Sequence, residues 1–237
     1  MKFLRRLFIG AFAFLVCAWI GLVVYAYWPT GVEERPAREL AGPDDKFVSV
    51  DGLELRYREY GVAGPDRPTL VLIHGFGNSL QSFRLLAPLL ADDYHVFAVD
   101  MPGFGLSSKP ADWDYRNPNQ ARVMGDFIRA LGLDNVIVGG HSLGGSVALR
   151  VAVNEPEVSG LVLMNPGIIN SGVPAITQYL FFPMGRLMAK QMGQRDFRET
   201  MIKGSFINPD VITDDVMDNL QLTTQSEGYM QGCLLYT

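Results

Sequence analysis

The sequence contains few of the residues that build disulfide frameworks or metal sites. Its two cysteines, Cys17 and Cys233, lie far apart in the chain, and such a pair does not make a disulfide scaffold. No group of cysteine and histidine residues has the spacing of zinc ligands. We therefore expect no metal and no organic cofactor. The 237 residues are long enough for one domain with a sizeable hydrophobic core.

Basic residues are also scarce beyond the N-terminus. Of the 20 lysines and arginines, three (Lys2, Arg5 and Arg6) lie at the start of the chain, which leaves 17 against 25 acidic residues. Proteins that bind nucleic acid rely on clustered lysine and arginine for most of their affinity. The acidic balance of this chain therefore argues against nucleic acid as a partner.

Charge is absent from a long stretch near the N-terminus. No charged residue occurs between residues 7 and 32, and residues 7–28 form an unbroken run of apolar, aromatic and small residues. As a helix this run is about 33 Å long, enough to cross the hydrocarbon core of a bilayer. We predict a single-pass transmembrane signal-anchor at residues 7–28. A linker rich in proline, glycine and acidic residues is expected at residues 29–45.

The flanking charges orient this helix. Residues 1–6 include three basic side chains, whereas Glu33 and Glu34 follow the helix, which predicts a cytoplasmic N-terminus. The domain is then expected on the non-cytoplasmic side of the membrane, either periplasmic or extracellular. Two alternatives remain open. One is a secretory signal cleaved after Val24-Tyr25-Ala26, which also exports the domain, and the other is a helix buried in a core.

From residue 46 onward, strand and helix patterns alternate. Short apolar runs predict strands, and apolar residues at helical spacing predict the helices between them. Strands are expected at residues 47–50, 53–60, 69–73, 94–99, 135–139 and 158–164, and helices at 82–91, 120–131 and 143–153. Asp51-Gly52 predicts a hairpin between the first two strands. This order predicts an α/β domain over residues 46–169, with a mostly parallel sheet and flanking helices. Residues 170–237 show short helical patterns at 179–182, 185–192 and 211–222, and no further strand.

The most informative motif is Gly140-His141-Ser142-Leu143-Gly144, which has the pattern G-x-S-x-G. This pattern is typical of a sharp turn between a strand and a helix that exposes a serine Oγ at the edge of an α/β sheet. Gly140 and Gly144 flank the serine because the tight turn leaves no room for Cβ atoms. Ser142 is therefore a candidate nucleophile.

Two further loops are expected beside this elbow (residues 140–144). His74-Gly75-Phe76-Gly77, the oxyanion loop, follows one predicted strand. The backbone N–H of Phe76 is expected to form an oxyanion hole with that of Leu143, at the positive end of its helix. The Asp100 loop (residues 100–107, DMPGFGLS) follows the next strand. Because the carboxyl ends of parallel strands meet at one edge of a sheet, these motifs predict one shared site.

Together the three motifs resemble those of the α/β-hydrolase superfamily, most closely its capped serine esterase and carbon–carbon-bond hydrolase branch, over about residues 46–170. The resemblance implies that Ser142 is the nucleophile, that Phe76 and Leu143 donate to the oxyanion, and that residues 170–237 begin a helical cap. It also implies a small acyl or ester substrate and an acyl-enzyme intermediate. Epoxide hydrolases and haloalkane dehalogenases carry an aspartate in place of the serine, which disfavours those chemistries.

A histidine base for Ser142 is not evident in the sequence. The histidines are His74, His95 and His141, and all three precede the serine. The α/β-hydrolase order is serine, then Asp or Glu, then histidine. We expect His95 to be structural, since it begins a strand at the end remote from the site.

The remaining polar and glycine residues of the motifs are expected to support the site. These supporting residues are His74, Gly75, Gly77, Asp100, Gly140, His141 and Gly144. Asp100 in particular is expected to hold its own loop in place.

Two hypotheses account for a nucleophile without a base. In the first, the chain is the N-terminal portion of a membrane-anchored serine hydrolase, incomplete within its cap, and inactive as given because the catalytic Asp and His are missing. In the second, the protein is a non-catalytic, membrane-tethered binding protein that keeps the pocket. The oligomeric state is left open by the sequence.

Overall fold

The computed structural model describes residues 2–167 and 182–234. The strands are β1 (Lys46–Val50), β2 (Leu53–Tyr60), β3 (Thr69–Ile73), β4 (His95–Val99), β5 (Val136–His141) and β6 (Val158–Met164). The helices are α1 (Lys2–Tyr27), α2 (Ala37–Leu40), α3 (Leu86–Leu90), α4 (Asn117–Ala130), α5 (Leu143–Asn154), α6 (Met184–Gly193), α7 (Arg195–Lys203), α8 (Asp214–Gln221) and α9 (Tyr229–Leu234). Short 3-10 helices occur at Leu80–Phe83, Pro209–Val211 and Leu222–Gln225.

The six strands form one mixed sheet in the order β1-β2-β4-β3-β5-β6. The pairs β1–β2 and β2–β4 are antiparallel, and the other neighbours are parallel. The predicted α/β class is thus confirmed. Strand β3 pairs with β4 on one side and with β5 on the other. The connections that follow β3 and β4 therefore run in opposite directions across the sheet, so the strand order reverses at β3. Ligand sites of open α/β sheets lie at such a reversal, beyond the carboxyl ends of the strands.

The hairpin predicted around Asp51-Gly52 is confirmed. Val50 pairs with Leu53 across a two-residue turn. Asp51 and Gly52 have φ values of 50° and 77°, and left-handed conformations at both positions are the mark of the turn that matches the twist of a hairpin.

The central strands are buried on both faces, which is why they read as unbroken apolar runs. Val71 and Ile73 point into a core shared with α4 and α5, where Phe127 is fully buried against Tyr57. The alternate residues of β3 pack under the 3-10 helix Leu80–Phe83 and α3. The sheet therefore lies between two helical layers, as the sequence predicts.

The helix predicted at residues 82–91 is wrong in detail, because two shorter elements replace it. The Ser79 side chain accepts the Gln81 N–H at 3.3 Å and starts a 3-10 turn that ends at Phe83. Helix α3 then begins anew at Leu86 with Pro88 in its first turn, where a missing N–H costs nothing. Local capping thus divided a segment whose apolar spacing alone indicated one helix.

Beyond β6 the predicted short helices are found in part. The pattern at 185–192 corresponds to α6, and that at 211–222 to α8 with its preceding 3-10 turn. Helices α7 and α9 were not predicted. The helix predicted at 179–182 falls almost wholly outside the described residues. We use the word cap for residues 182–234.

Residues 29–45, interpreted from composition as a linker, make ordered contacts with the cap and the sheet. Arg35 donates its N–H to the Gln225 carbonyl at 2.8 Å and accepts the Glu227 N–H at 3.1 Å. Leu40 is buried. The segment is therefore bound to the domain along much of its length.

Within the described residues, one helix is long and apolar enough to cross a membrane. It covers Phe3–Tyr27, with a mean hydropathy of 2.6 in a window that is not buried against the domain. This finding rests on length and composition.

We expect Phe127→Ala to lower the free energy of unfolding by about 3–5 kcal/mol, because it opens a cavity in the main core. Val153→Ala is the matched control, since Val153 is exposed on the neighbouring helix and its loss should cost less than about 0.5 kcal/mol. Urea unfolding of the detergent-solubilised protein, followed by circular dichroism, measures both. Equal effects of the two substitutions would contradict this account of the core.

Candidate active site

Ser142 lies in a strained turn between β5 and α5. Its φ and ψ are 52° and −118°, a conformation that costs a non-glycine residue of order 1–3 kcal/mol. Backbone hydrogen bonds hold it there, among them a 3.4 Å bond from the Ser146 N–H to the Ser142 carbonyl. The Ser142 N–H donates to the Met164 carbonyl at 3.1 Å, and its carbonyl accepts from the N–H groups of Gly145 at 3.0 Å and Gly167 at 2.9 Å. The side chain is half-buried at the sheet edge.

Glycines allow the elbow to pack backbone against backbone. A Cβ on Gly140 would overlap the Gly144 carbonyl, and a Cβ on Gly144 would overlap the carbonyls of His74 and Ile73. The helix that follows Ser142 therefore starts directly against the end of β3. This contact brings the elbow and the oxyanion loop together.

The oxyanion loop lies against Ser142. A Cβ on Gly75 would come within 3.1 Å of both the Ser142 Cβ and the His141 Nδ1, and Gly77 is left-handed with φ 69°. Leu143 is the first residue of α5, where backbone N–H groups have no partner within the helix. The loop that carries Phe76 and the helix start at Leu143 thus flank Ser142.

His74 joins the oxyanion loop to the Asp100 loop. It is fully buried, with Nδ1 2.8 Å from the Gly75 carbonyl and Nε2 3.1 Å from the Met101 N–H. Burial lowers the pKa of His74 and outweighs the opposing effect of the Asp100 carboxylate. The neutral ring then donates through Nδ1 and accepts through Nε2. Since both nitrogens are occupied, His74 is not placed to act as a base.

Asp100 is the polar centre of these loops. Its buried carboxylate accepts the N–H groups of Leu80 at 2.6 Å and Leu106 at 2.8 Å, and the Arg56 Nε at 2.6 Å. A Cβ on Gly105 would overlap that carboxylate, which accounts for the glycine. Burial alone would raise the pKa of Asp100, but Arg56, His74 and the hydrogen bonds together hold it below its ordinary value.

Sequence reasoning missed Arg56, which is buried in β2 at 1% exposure. Besides Asp100, it contacts Asp45 at 3.4 Å, and Asp45 also accepts from Arg58 at 2.6 Å. In a strand whose residues alternate between apolar and polar, an arginine between two apolar residues is expected to face solvent. The sequence therefore contains no indication that Arg56 is buried and paired with Asp100. Asp45 was likewise assigned to the linker.

The other two histidines occupy different positions. His95 begins β4, and its Nε2 lies 2.5 Å from the Glu59 Oε1, at the opposite end of the strand from the elbow. His141 ends β5, half-buried beside Gly75. In the portion of the chain that the structure describes, no hydrogen bond joins a histidine nitrogen to the Ser142 side chain. The same portion contains no group of three or more His, Cys, Asp or Glu residues placed to hold a metal.

A cavity of about 640 Å³ separates the elbow from the cap. His141, Met164 and Asn165 line its sheet side, and Ile202, Ile212 and Leu220 line its cap side. Arg84 also reaches this space, and burial lowers the pKa of its guanidinium. The cavity thus has an apolar roof and a polar margin that includes His141, the neighbour of Ser142.

Comparison with known proteins identifies the family. The model of the alpha/beta hydrolase fold family matches residues 68–193, which is more than half of the chain. The chain therefore belongs to the α/β-hydrolase family, and the resemblance drawn from the three motifs is confirmed at the level of the family.

Among curated relatives, the chain is 34% identical to the uncharacterized hydrolase YugF of Bacillus subtilis over 155 residues, covering 65% of this chain and 56% of that protein. It is 41% identical over 125 residues to 2-hydroxy-6-oxo-6-(2'-aminophenyl)hexa-2,4-dienoic acid hydrolase of Metapseudomonas resinovorans, covering 51% and 41% of the two chains. The chain thus spans about half the length of these curated relatives.

Among solved structures, the fold is similar to that of a membrane phospholipase A described as a bacterial virulence factor. The TM-score is 0.64 at 28% sequence identity, and the match covers 98% of this chain and 74% of that one. Coverage this high takes in most of α1 as well as the α/β domain.

We expect Asp100→Asn to lower the free energy of unfolding at pH 7 by about 3–5 kcal/mol, because the substitution removes the nearer of the two carboxylates that pair with the buried Arg56 and leaves only Asp45, at 3.4 Å. In the native protein the pKa of Asp100 is lower when folded than when unfolded. Its contribution is therefore complete above about pH 4 and is lost as the pH falls through the folded value.

Urea unfolding at a series of pH values between 7 and 3 measures both effects. The native protein should lose more stability on acidification than the Asp100→Asn variant. An identical pH dependence in the two proteins would show that Asp100 is not the group responsible.

Proposed function

We propose that the protein is a serine hydrolase that cleaves carboxylic esters or related acyl substrates through an acyl-enzyme at Ser142. One observation carries the proposal: the strained turn of Ser142 lies against the Gly75 backbone and the first turn of α5. A serine held in this way at the carboxyl edge of the sheet is arranged to attack a carbonyl whose oxygen faces the two backbone segments.

The proposed reaction has two steps. The Ser142 Oγ attacks the acyl carbon, its proton passes to a base, and the negative charge on the carbonyl oxygen is stabilised by the N–H groups of Phe76 and Leu143. As this intermediate collapses, the base gives the proton to the leaving oxygen and the alcohol is released. Water then hydrolyses the acyl-enzyme, which releases the carboxylic acid and restores the Ser142 hydroxyl. His74 and His95 are committed to other partners, and His141 adjoins the serine in the turn. The mechanism therefore requires a base other than these three histidines.

We propose that the substrate is a lipid ester with at least one acyl chain. The apolar cap side of the cavity, formed by Ile202, Ile212 and Leu220, suits an acyl chain leading away from the reacting carbonyl. The likeness to a membrane phospholipase A over 98% of this chain supports the same substrate class.

We further propose that residues 7–28 anchor the protein in a membrane, with residues 46–169 and the cap on the non-cytoplasmic side. The uncharged helix and the basic residues before it support this orientation. An enzyme held in this way acts on esters within or beside the bilayer.

The test is active-site labelling with a fluorophosphonate, together with turnover of a chromogenic acyl ester, using the protein expressed from its complete reading frame in membranes. Native protein should be labelled at Ser142. Ser142→Ala should abolish labelling and reduce turnover by at least about a thousandfold, since it removes the nucleophile.

Ser159→Ala is the matched control, because Ser159 is exposed near the opposite end of the sheet. It should retain labelling and turnover. Failure of the native protein to react with either reagent would contradict the proposal and would favour the non-catalytic binding protein.

A further inference from the structure

The C-terminal end of α1 is covered by two cations of the cap helix α6. The Lys190 Nζ donates to the carbonyl of Tyr25 at 2.7 Å and to that of Trp28 at 2.8 Å. The Arg186 Nε donates to the Ala26 carbonyl at 3.2 Å. Two carbonyls in the last turn of α1, and that of Trp28 directly after it, are thereby bonded to side chains that lie about 160 residues further along the chain.

These contacts satisfy an electrostatic need of α1. The last four carbonyls of a helix have no partner within it, and the C-terminal end carries partial negative charge. The last turn of α1 contains no basic residue. Lys190 and Arg186 supply the missing cations, and each also lies over an aromatic ring of the same turn. The Lys190 Nζ is 4.3 Å from the centre of the Tyr25 ring, and the Arg186 Cζ is 4.4 Å from that of Tyr27.

The partners of Lys190 are also what make its burial tolerable. Lys190 is only 5% exposed, and within the described ranges no carboxylate forms an ion pair with Lys190 or Arg186. A buried ammonium needs hydrogen-bond acceptors, and these come from α1. Removal of α1 after residue 26, at the cleavage site that the sequence left open, would take away the Tyr25 carbonyl and the Tyr25 ring.

The contact continues along α1 toward its middle. Phe182 lies 5.9 Å from the Trp19 ring and 6.2 Å from the Tyr27 ring, measured between ring centres. Ala26 is 2% exposed. Trp19 and Tyr27 are about 12 Å apart along the helix axis, so the last two turns of α1 lie beside the cap.

We propose that Lys190 and Arg186 form a clamp that fixes the cap to the end of the membrane helix. The helix is then retained in the mature protein rather than cleaved, and the roof of the cavity is held at the bilayer surface. This inference depends on the proposed membrane attachment but not on the hydrolase reaction. Its readouts below are independent of ester turnover, so either proposal can fail alone.

The first test is the mass and N-terminal sequence of the protein isolated from membranes. Retention of residues 1–28 is expected. A mature protein that begins at Tyr27 would overturn the clamp.

The second test is amide hydrogen exchange over residues 22–28 and 184–193 in the membrane-inserted protein. Lys190→Met should accelerate exchange in both segments by at least about tenfold, because it removes hydrogen bonds from a charged donor. Lys203→Met is the matched control. Lys203 belongs to the same cap but pairs with Glu199 near the surface, so its loss should leave both segments unchanged.

Arg186→Gln keeps the proposal testable if Lys190→Met fails to fold, since Arg186 is only half-buried. It should accelerate exchange about threefold in the same two segments, as expected for the loss of one such bond. Unchanged exchange in the folded Lys190→Met variant, or in Arg186→Gln, would refute the clamp.

Discussion

The buried ion pair between Arg56 and Asp100 is the interaction on which the arrangement of the site depends. Two desolvated charges are costly to bury, and they are tolerated only when the geometry is good and further hydrogen bonds satisfy the remaining atoms. Asp100 meets this condition by accepting from Leu80 and Leu106 as well. The pair therefore joins β2 to the loops that follow β3 and β4. His74 adds a second connection through Met101, so the two loops beside Ser142 are fixed to each other.

This rigid surrounding explains how a strained serine persists. The left-handed turn at Ser142 is opposed by its own conformational energy, and it is held by hydrogen bonds to β6 and to the segment after it. The close approach of Gly144 to the end of β3 leaves no space for the turn to relax. Strain at Ser142 is thus balanced by packing and hydrogen bonds elsewhere. That is the usual arrangement where a side chain must be presented for reaction.

The cap connects this site to the N-terminal helix. Helices α7 and α8 supply residues that roof the cavity, while α6 covers the end of α1 through Lys190 and Arg186. Residues 29–45 reinforce the connection by pairing with the segment around Ser226. Ser142, the roof of the cavity and the end of α1 therefore belong to one packed unit. The proposed lipid ester substrate would enter a cavity whose roof is connected to the proposed anchor.

Much of the fold and of the candidate site followed from the sequence, because the signals involved are local. Apolar runs predicted the strands, Asp51-Gly52 predicted the hairpin, and the glycines around Ser142 indicated a turn that tolerates no Cβ. The roles of Phe76 and Leu143 at the oxyanion remain predictions. Only the tertiary structure revealed that Arg56 pairs with Asp100 across 44 residues and that Lys190 binds α1 across 165. Sequence periodicity specifies which elements form and which faces they bury. The partner of a buried charge depends instead on how elements that are distant in the sequence pack together, and a local sequence pattern contains no information about that packing.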